Sequence, residues 1–67
     1  MSVAKVSELS STSTKSFEDA IEQGIARAVK TLRNVRSAWI KEQHVRVEHG
    51  LAAEYQVNMM VTFVLDD

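Results

Sequence analysis

Apolar and polar positions along the chain fall into two different rhythms, and each predicts its own kind of element. From Leu51 to Leu65 the pattern has period two. Leu51, Ala53, Tyr55, Val57, Met59, Val61, Phe63 and Leu65 alternate with Ala52, Glu54, Gln56, Asn58, Met60, Thr62 and Val64. Successive strand side chains point to opposite faces, so this is the signature of a strand with one face in a core. From Phe17 the spacing changes to steps of three and four through Ala20, Ile21, Gly24, Ile25, Ala28, Val29 and Leu32. That stripe predicts an amphipathic helix over 17–33, with Asn34 as its stop. Ser16 stands where an N-cap belongs, and Glu18 and Asp19 suit the positive end of the helix dipole. Arg27, Lys30, Arg33 and Arg36 gather toward the negative end.

Shorter segments complete the pattern. Val3, Val6 and Leu9 mark a first strand over 3–9, and the hydroxyl cluster Ser10–Thr14 reads as a loop. Residues 37–48 read as a second strand, joined to the last by a tight turn at His49-Gly50, where glycine tolerates positive φ. The expected fold is therefore α+β: β-α-β-β, a three-stranded antiparallel sheet packed around one helix in one domain over 1–67. Pairing Glu48 with Leu51 across the turn places Gln43 opposite Gln56, Trp39 opposite Met60 and Ser37 opposite Thr62. On that register, the face turned away from the helix carries Trp39, Met60, Val45 and Val47 among polar groups. An uncovered mixed face of this kind marks an interface or a ligand site.

Size sharpens that expectation. A chain of 67 residues is marginal alone, and such chains draw on disulfides, a metal or oligomerisation. With no cysteine and only two histidines, His44 and His49, oligomerisation is the remaining route. A net charge of −1 gives no nucleic-acid footprint. The N-terminal residues lack the apolar core of a signal peptide, and no apolar run has the length of a membrane span. A cytoplasmic protein without nucleic-acid or membrane partners is expected. No nucleophile, acid–base pair or triad has supporting spacing, so an enzyme is not expected. Glu18, Asp19 and Glu22 are read as dipole-serving acids, not as a metal site.

The ordered segments Ser16-Phe17-Glu18-Asp19-Ala20, Ala26-Arg27-Ala28, Lys30-Thr31-Leu32-Arg33-Asn34-Val35, Lys41-Glu42-Gln43, Tyr55-Gln56-Val57 and Val61-Thr62-Phe63-Val64-Leu65 resemble the dodecin family over nearly the whole chain. The resemblance implies a sheet wrapped around the helix and a hollow homododecamer with trimers as building blocks. It also implies a storage or sequestering role for a flavin, FMN or riboflavin, bound between subunits. In flavin-binding members a tryptophan at the start of the second strand stacks on the isoalloxazine ring, and a glutamine in the third strand bonds its polar edge. Those positions fall on Ser37 and Gln56. The phosphate-side basic position falls near His44 and a further contact at Val64. A coenzyme A site on the helix would involve Arg27, Thr31, Leu32 and Arg33.

Serine at the stacking position is a departure from the family pattern, and Trp39, two residues on and on the same face, is the aromatic group that could line a displaced pocket. An aromatic pair contributes on the order of 0.5–1.5 kcal/mol beyond burial. Losing two such contacts about a symmetry axis would weaken binding roughly tenfold to a hundredfold. The alternative reading is a dodecin-like structural shell without flavin stacking, holding another small ligand, an ion or nothing.

Overall fold

The computed structural model describes residues 2–65. Its elements run β1 (Ala4–Ser13), α1 (Phe17–Thr31), β2 (Val35–Glu48) and β3 (Leu51–Val64). The β-α-β-β order and the antiparallel sheet are as expected, and the strand order is β1-β3-β2.

The helix begins where its cap predicts. Ser16 is extended, and its Oγ accepts from the Asp19 N–H at 3.0 Å, which satisfies one of the free donors of the first turn. The helix ends two residues early, at Thr31. Leu32 caps it through an N–H to the Ala28 carbonyl at 2.8 Å, and Asn34 takes a positive φ of 60°. Asparagine is one of the few non-glycine residues that adopts this conformation readily.

Its inward stripe is made of small residues. Ala20, Gly24 and Ala28 are buried at four-residue spacing and let the helix approach the sheet closely. A Cβ on Gly24 would collide with the Met59 methyl and stand 3.1 Å from Ser11 Cβ and 3.3 Å from Leu9 Cδ1. Val57, Met59 and Val61 of β3 complete the core with no exposed surface. Phe17 meets Tyr55 edge-on, ring centres 5.1 Å apart, and closes one end of it.

β1 is longer than expected. Most of the hydroxyl run does not form a loop: Ser10, Ser11, Thr12 and Ser13 pair with Asn58, Val57, Gln56 and Tyr55 of β3, and only Thr14 lies beyond the strand. Short hydroxyl side chains fit a pleated ladder, and Ser11 and Ser13 face the helix where larger groups would not fit. Ser13 is itself a cap partner, its Oγ donating to Asp19 Oδ2 at 2.6 Å and accepting from the Lys15 N–H at 2.9 Å.

The β2–β3 hairpin turns at His49 and Gly50, both with positive φ (53° and 76°), as two-residue hairpin turns require. The register holds at the tip, where Glu48 pairs with Leu51, and again where Trp39 pairs with Met60 and Ser37 with Thr62, before a further irregularity at Val35/Ser37 sets Val35 opposite Phe63. Between the tip and Trp39 it is shifted by one residue. An irregularity at Arg46/Val47 puts an extra residue, Ala53, on β3, and one at Ile40/Glu42 puts Lys41 on β2. Gln43 therefore faces Val57, and Gln56 faces His44 instead of Gln43. Val45 moves opposite Tyr55, onto the helix side of the sheet, and leaves the outer face where it was expected.

α1 lies over β1 and β3 and barely touches β2. The hairpin runs on past it, giving a molecule 51 Å long and 13 Å thick. The consequence is an unusual balance. Among the described residues five apolar side chains are buried, while nine large ones are exposed, among them Val29 (53%), Trp39 (51%), Val47 (63%) and Leu51 (72%). Full burial of a large aliphatic side chain contributes about 1.5–3 kcal/mol, so a core this thin leaves much of the available apolar stabilisation unused within the single chain.

Candidate functional site

Side chains of β3 alternate. The odd-numbered set from Tyr55 to Phe63 faces α1, and the even-numbered set from Gln56 to Val64 forms the outer face. Cross-strand pairing extends that face in rows: Val6–Thr62–Ser37, Glu8–Met60–Trp39, Ser10–Asn58–Glu42 and Thr12–Gln56–His44. No element of the described residues covers it.

The rows divide into two ends of different chemistry. At the Gln56 end the side chains are knitted together. The Gln56 amide donates to Ser10 Oγ at 2.9 Å and to Asn58 Oδ1 at 3.1 Å, and Asn58 donates to Glu42 Oε1 at 2.9 Å. That bond from Asn58, aided by the charges of His44 and Lys41, holds the Glu42 carboxyl below the usual carboxylate range. Glu42 is thus an anion 3.9 Å from His44 Nε2. Next to them, Arg46 pairs with Glu48 at 2.6 Å and Glu54 at 3.6 Å, and these carboxylates, Glu48 foremost, raise the guanidinium pKa further. His44, Val45, Arg46, Glu54 and Gln56 line a shallow depression of about 260 Å³.

At the other end stand Ser37, Trp39, Met60, Thr62 and Val64. Lys41, the extra residue of the second irregularity, reaches over β3 to Glu8 on β1, its Nζ 3.3 Å from both carboxylate oxygens. Lys41 follows Trp39 by two residues along β2 toward Gln56, and Glu8 ends Trp39's own row on the far side of Met60. On the other side of Trp39 lies the row of Ser37 and Thr62, with the exposed Val6 beyond Thr62 on β1.

Ser37 and Gln56 share the face without approaching each other. Thr62, the partner of Ser37, is six residues from Gln56, or about 20 Å along the strand. Trp39 is about 14 Å from Gln56 by the same measure, and Val64 about 27 Å. Helix residues lie elsewhere again. Arg27, Thr31 and Leu32 line a groove of about 510 Å³ between α1 and β1, with Gln23, Leu9 and Ser10 among its other walls. Arg33 is past the helix end and outside that lining.

Among the described residues no three acidic, histidine or cysteine side chains converge as a metal site, and no helix is long and apolar enough to cross a membrane. Asn58, Glu42, Ser10 and the Lys41–Glu8 pair belong to the outer face and were not foreseen. The signal available for Asn58 was a carboxamide on an outer position of an alternating strand, two residues from another at Gln56.

A family model described as Dodecin matches residues 3–66. The chain belongs to the dodecin family. Solved dodecins share its whole architecture. A dodecin from Streptomyces davaonensis is 33% identical with a TM-score of 0.92, the match covering 98% of this chain and 97% of that one. An arginine-to-alanine variant of the Thermus thermophilus dodecin is 37% identical with a TM-score of 0.94, over 100% of both chains. A calcium-chelating dodecin of Mycobacterium tuberculosis, with a calcium-binding site, is 28% identical with a TM-score of 0.82, over 96% of this chain and 91% of that one. Comparison with curated proteins gives no match.

Proposed function

We propose that the chain assembles into a hollow homododecamer, built from trimers, that binds and sequesters a flavin, FMN or riboflavin, and performs no catalysis. The observation that carries this reading is the uncovered outer face of a dodecin sheet on which Ser37, Trp39, His44, Gln56 and Val64 all lie. Self-association is supported by the thin core and by the exposed apolar side chains of α1 and the hairpin.

Gln56 is suited to a flavin's pyrimidine edge. Its amide N–H groups are committed to Ser10 and Asn58, which leaves Oε1 to accept from the ring N–H. The spacing along the face makes the site a joint one. A ring bonded to Gln56 of one subunit takes its flat contact from the other end of the sheet of a second subunit. His44 serves a phosphate or ring edge there, and enclosure between subunits excludes water from a photoreactive ring. Coenzyme A is a further candidate ligand for the α1–β1 groove, with Arg27, Thr31, Leu32 and Arg33 as its contacts. The reading places the protein in the cytoplasm.

A second reading is favoured by one observation, the serine at position 37. On it the same shell assembles without flavin stacking and holds another small ligand, an ion or nothing. Fluorescence titration of riboflavin and FMN with the purified, flavin-stripped oligomer separates the two. Saturable quenching at micromolar or tighter concentration is the expected result. An intact oligomer that leaves flavin fluorescence unchanged would overturn the first reading in favour of the second.

A further inference from the structure

We infer that Trp39, backed by Met60, is the stacking surface of the ligand site, and that Ser37 and Thr62 form the clearance into which a planar heteroaromatic ring fits. This rests on the proposed flavin binding and specifies which side chain performs it.

Four features of the outer face converge on Trp39. It is the only tryptophan of the chain and is 51% exposed. The only ring pair among the described residues joins Phe17 and Tyr55 on the opposite face of the sheet, so the indole is not spent on an aromatic contact of its own chain. Its cross-strand partner is Met60, half-buried, whose thioether supports an aromatic ring from beneath. The two flanks of the indole differ. Lys41 and Glu8 close one by their bridge over β3. The other carries Ser37 and Thr62, which offer hydroxyl groups to polar edges of a ring, with Val6 beyond them at the β1 edge. An exposed indole with a charged bridge on one side and a hydroxyl row on the other selects a flat, polar-edged ring over a flexible apolar chain, because stacking rewards planarity and the hydroxyl row rewards hydrogen-bonding edges.

Riboflavin titration of the intact oligomer tests this with three variants. Trp39→Leu keeps apolar bulk and removes stacking; Trp39→Phe keeps a ring; Ser37→Trp combined with Trp39→Leu moves an indole two residues back on the same face. The expected results are binding weakened about tenfold or more by Trp39→Leu, most of it retained by Trp39→Phe, and recovery in the double variant. Wild-type indole emission is expected to fall as the site fills. Oligomer size is checked for each variant by light scattering. Equal affinity of Trp39→Leu and wild type, with the oligomer intact, would overturn this inference while leaving flavin binding in place. Equal losses in the leucine and phenylalanine variants would overturn it too, since they would assign Trp39 a shape-filling role. A wild-type oligomer that does not bind riboflavin would overturn this inference together with the flavin reading on which it rests.

Discussion

Ser37 and Gln56 point from the same face of one sheet, yet the pairing of Ser37 with Thr62 sets them six β3 residues apart. A strand rises about 3.4 Å per residue, so the interval exceeds the reach of any contact between the two side chains. On the proposed flavin reading, a single chain therefore carries the two halves of the site at opposite ends of its outer face.

This predicts complementation between subunits. Trp39→Leu and Gln56→Ala subunits are each expected to form oligomers that bind riboflavin poorly. Refolded together in equal amounts, they are expected to regain about a quarter of the wild-type sites, because random assembly pairs an intact Trp39 with an intact neighbouring Gln56 that often. Mixed oligomers with no more binding than their parents would show that both residues act within one chain, or that one of them does not act at all.

Much of this arrangement is legible in the sequence, and the part that is not has a common cause. The cap at Ser16, the two-residue turn at His49 and Gly50 and the alternation of β3 are all written in side-chain types at fixed offsets. The pairing of Trp39 with Met60 is also reached by counting from the turn, but only because two irregularities cancel. Ala53 shifts the ladder by one residue and Lys41 shifts it back. A bulge is a backbone event that no residue type here announces, so counting from the turn misplaces the middle of the hairpin. That count puts Gln43 opposite Gln56 and gives no sign of the His44–Glu42–Asn58–Gln56 network. β1 was cut short for a different reason. Serine and threonine are loop formers when nothing pairs with them, and the ladder from Tyr55 to Asn58 that recruits Ser10–Ser13 lies more than forty residues away.

Gly24 predicts a stability effect. The space that a Cβ would need is taken by the Met59 methyl, Ser11 Cβ and Leu9 Cδ1. Met59 is fully buried, so its end has little room to swing aside. Gly24→Val is expected to destabilise the fold by about 2 kcal/mol, since overpacking a close-packed contact typically costs 1–3 kcal/mol and a β-branched side chain gains little helix propensity over glycine. Urea or thermal unfolding checks this. An unchanged midpoint would mean that α1 can lift from β1 and β3 without loss.

The Lys41–Glu8 bridge is expected to matter little for stability. Both side chains are about half exposed, at 52% and 46%, and exposed pairs contribute about 0–1 kcal/mol and are screened by salt. Lys41→Ala is expected to shift the unfolding midpoint only slightly, and less at high salt. Its effect on riboflavin affinity should be the larger one, because it opens the closed flank of Trp39. Comparing unfolding and riboflavin titration on the same variant separates the two roles. A marked loss of stability with unchanged affinity would reverse the assignment.

The last prediction concerns acid. Hydrogen bonding from Ser13, with help from Gln23 and the charge of Lys15, holds Asp19 below the ordinary aspartate value. A carboxyl whose pKa is lower in the folded state stabilises the fold while ionised, so its contribution is fully present above the unfolded value of about 3.9. It is lost as pH falls through the folded value. Asp19 is solvent-accessible, which limits the size of the effect, but its position ties the end of β1 to the first turn of α1 through Ser13 Oγ at 2.6 Å. Wild-type stability is therefore expected to decline as pH drops below about 4, and Asp19→Asn, which cannot ionise, is expected to show a shallower decline over that interval. Urea midpoints measured from neutral to acid pH on both proteins give the comparison. Parallel curves would assign the acid sensitivity to other carboxylates, with Glu42, also held low by its bond from Asn58, as the next to replace.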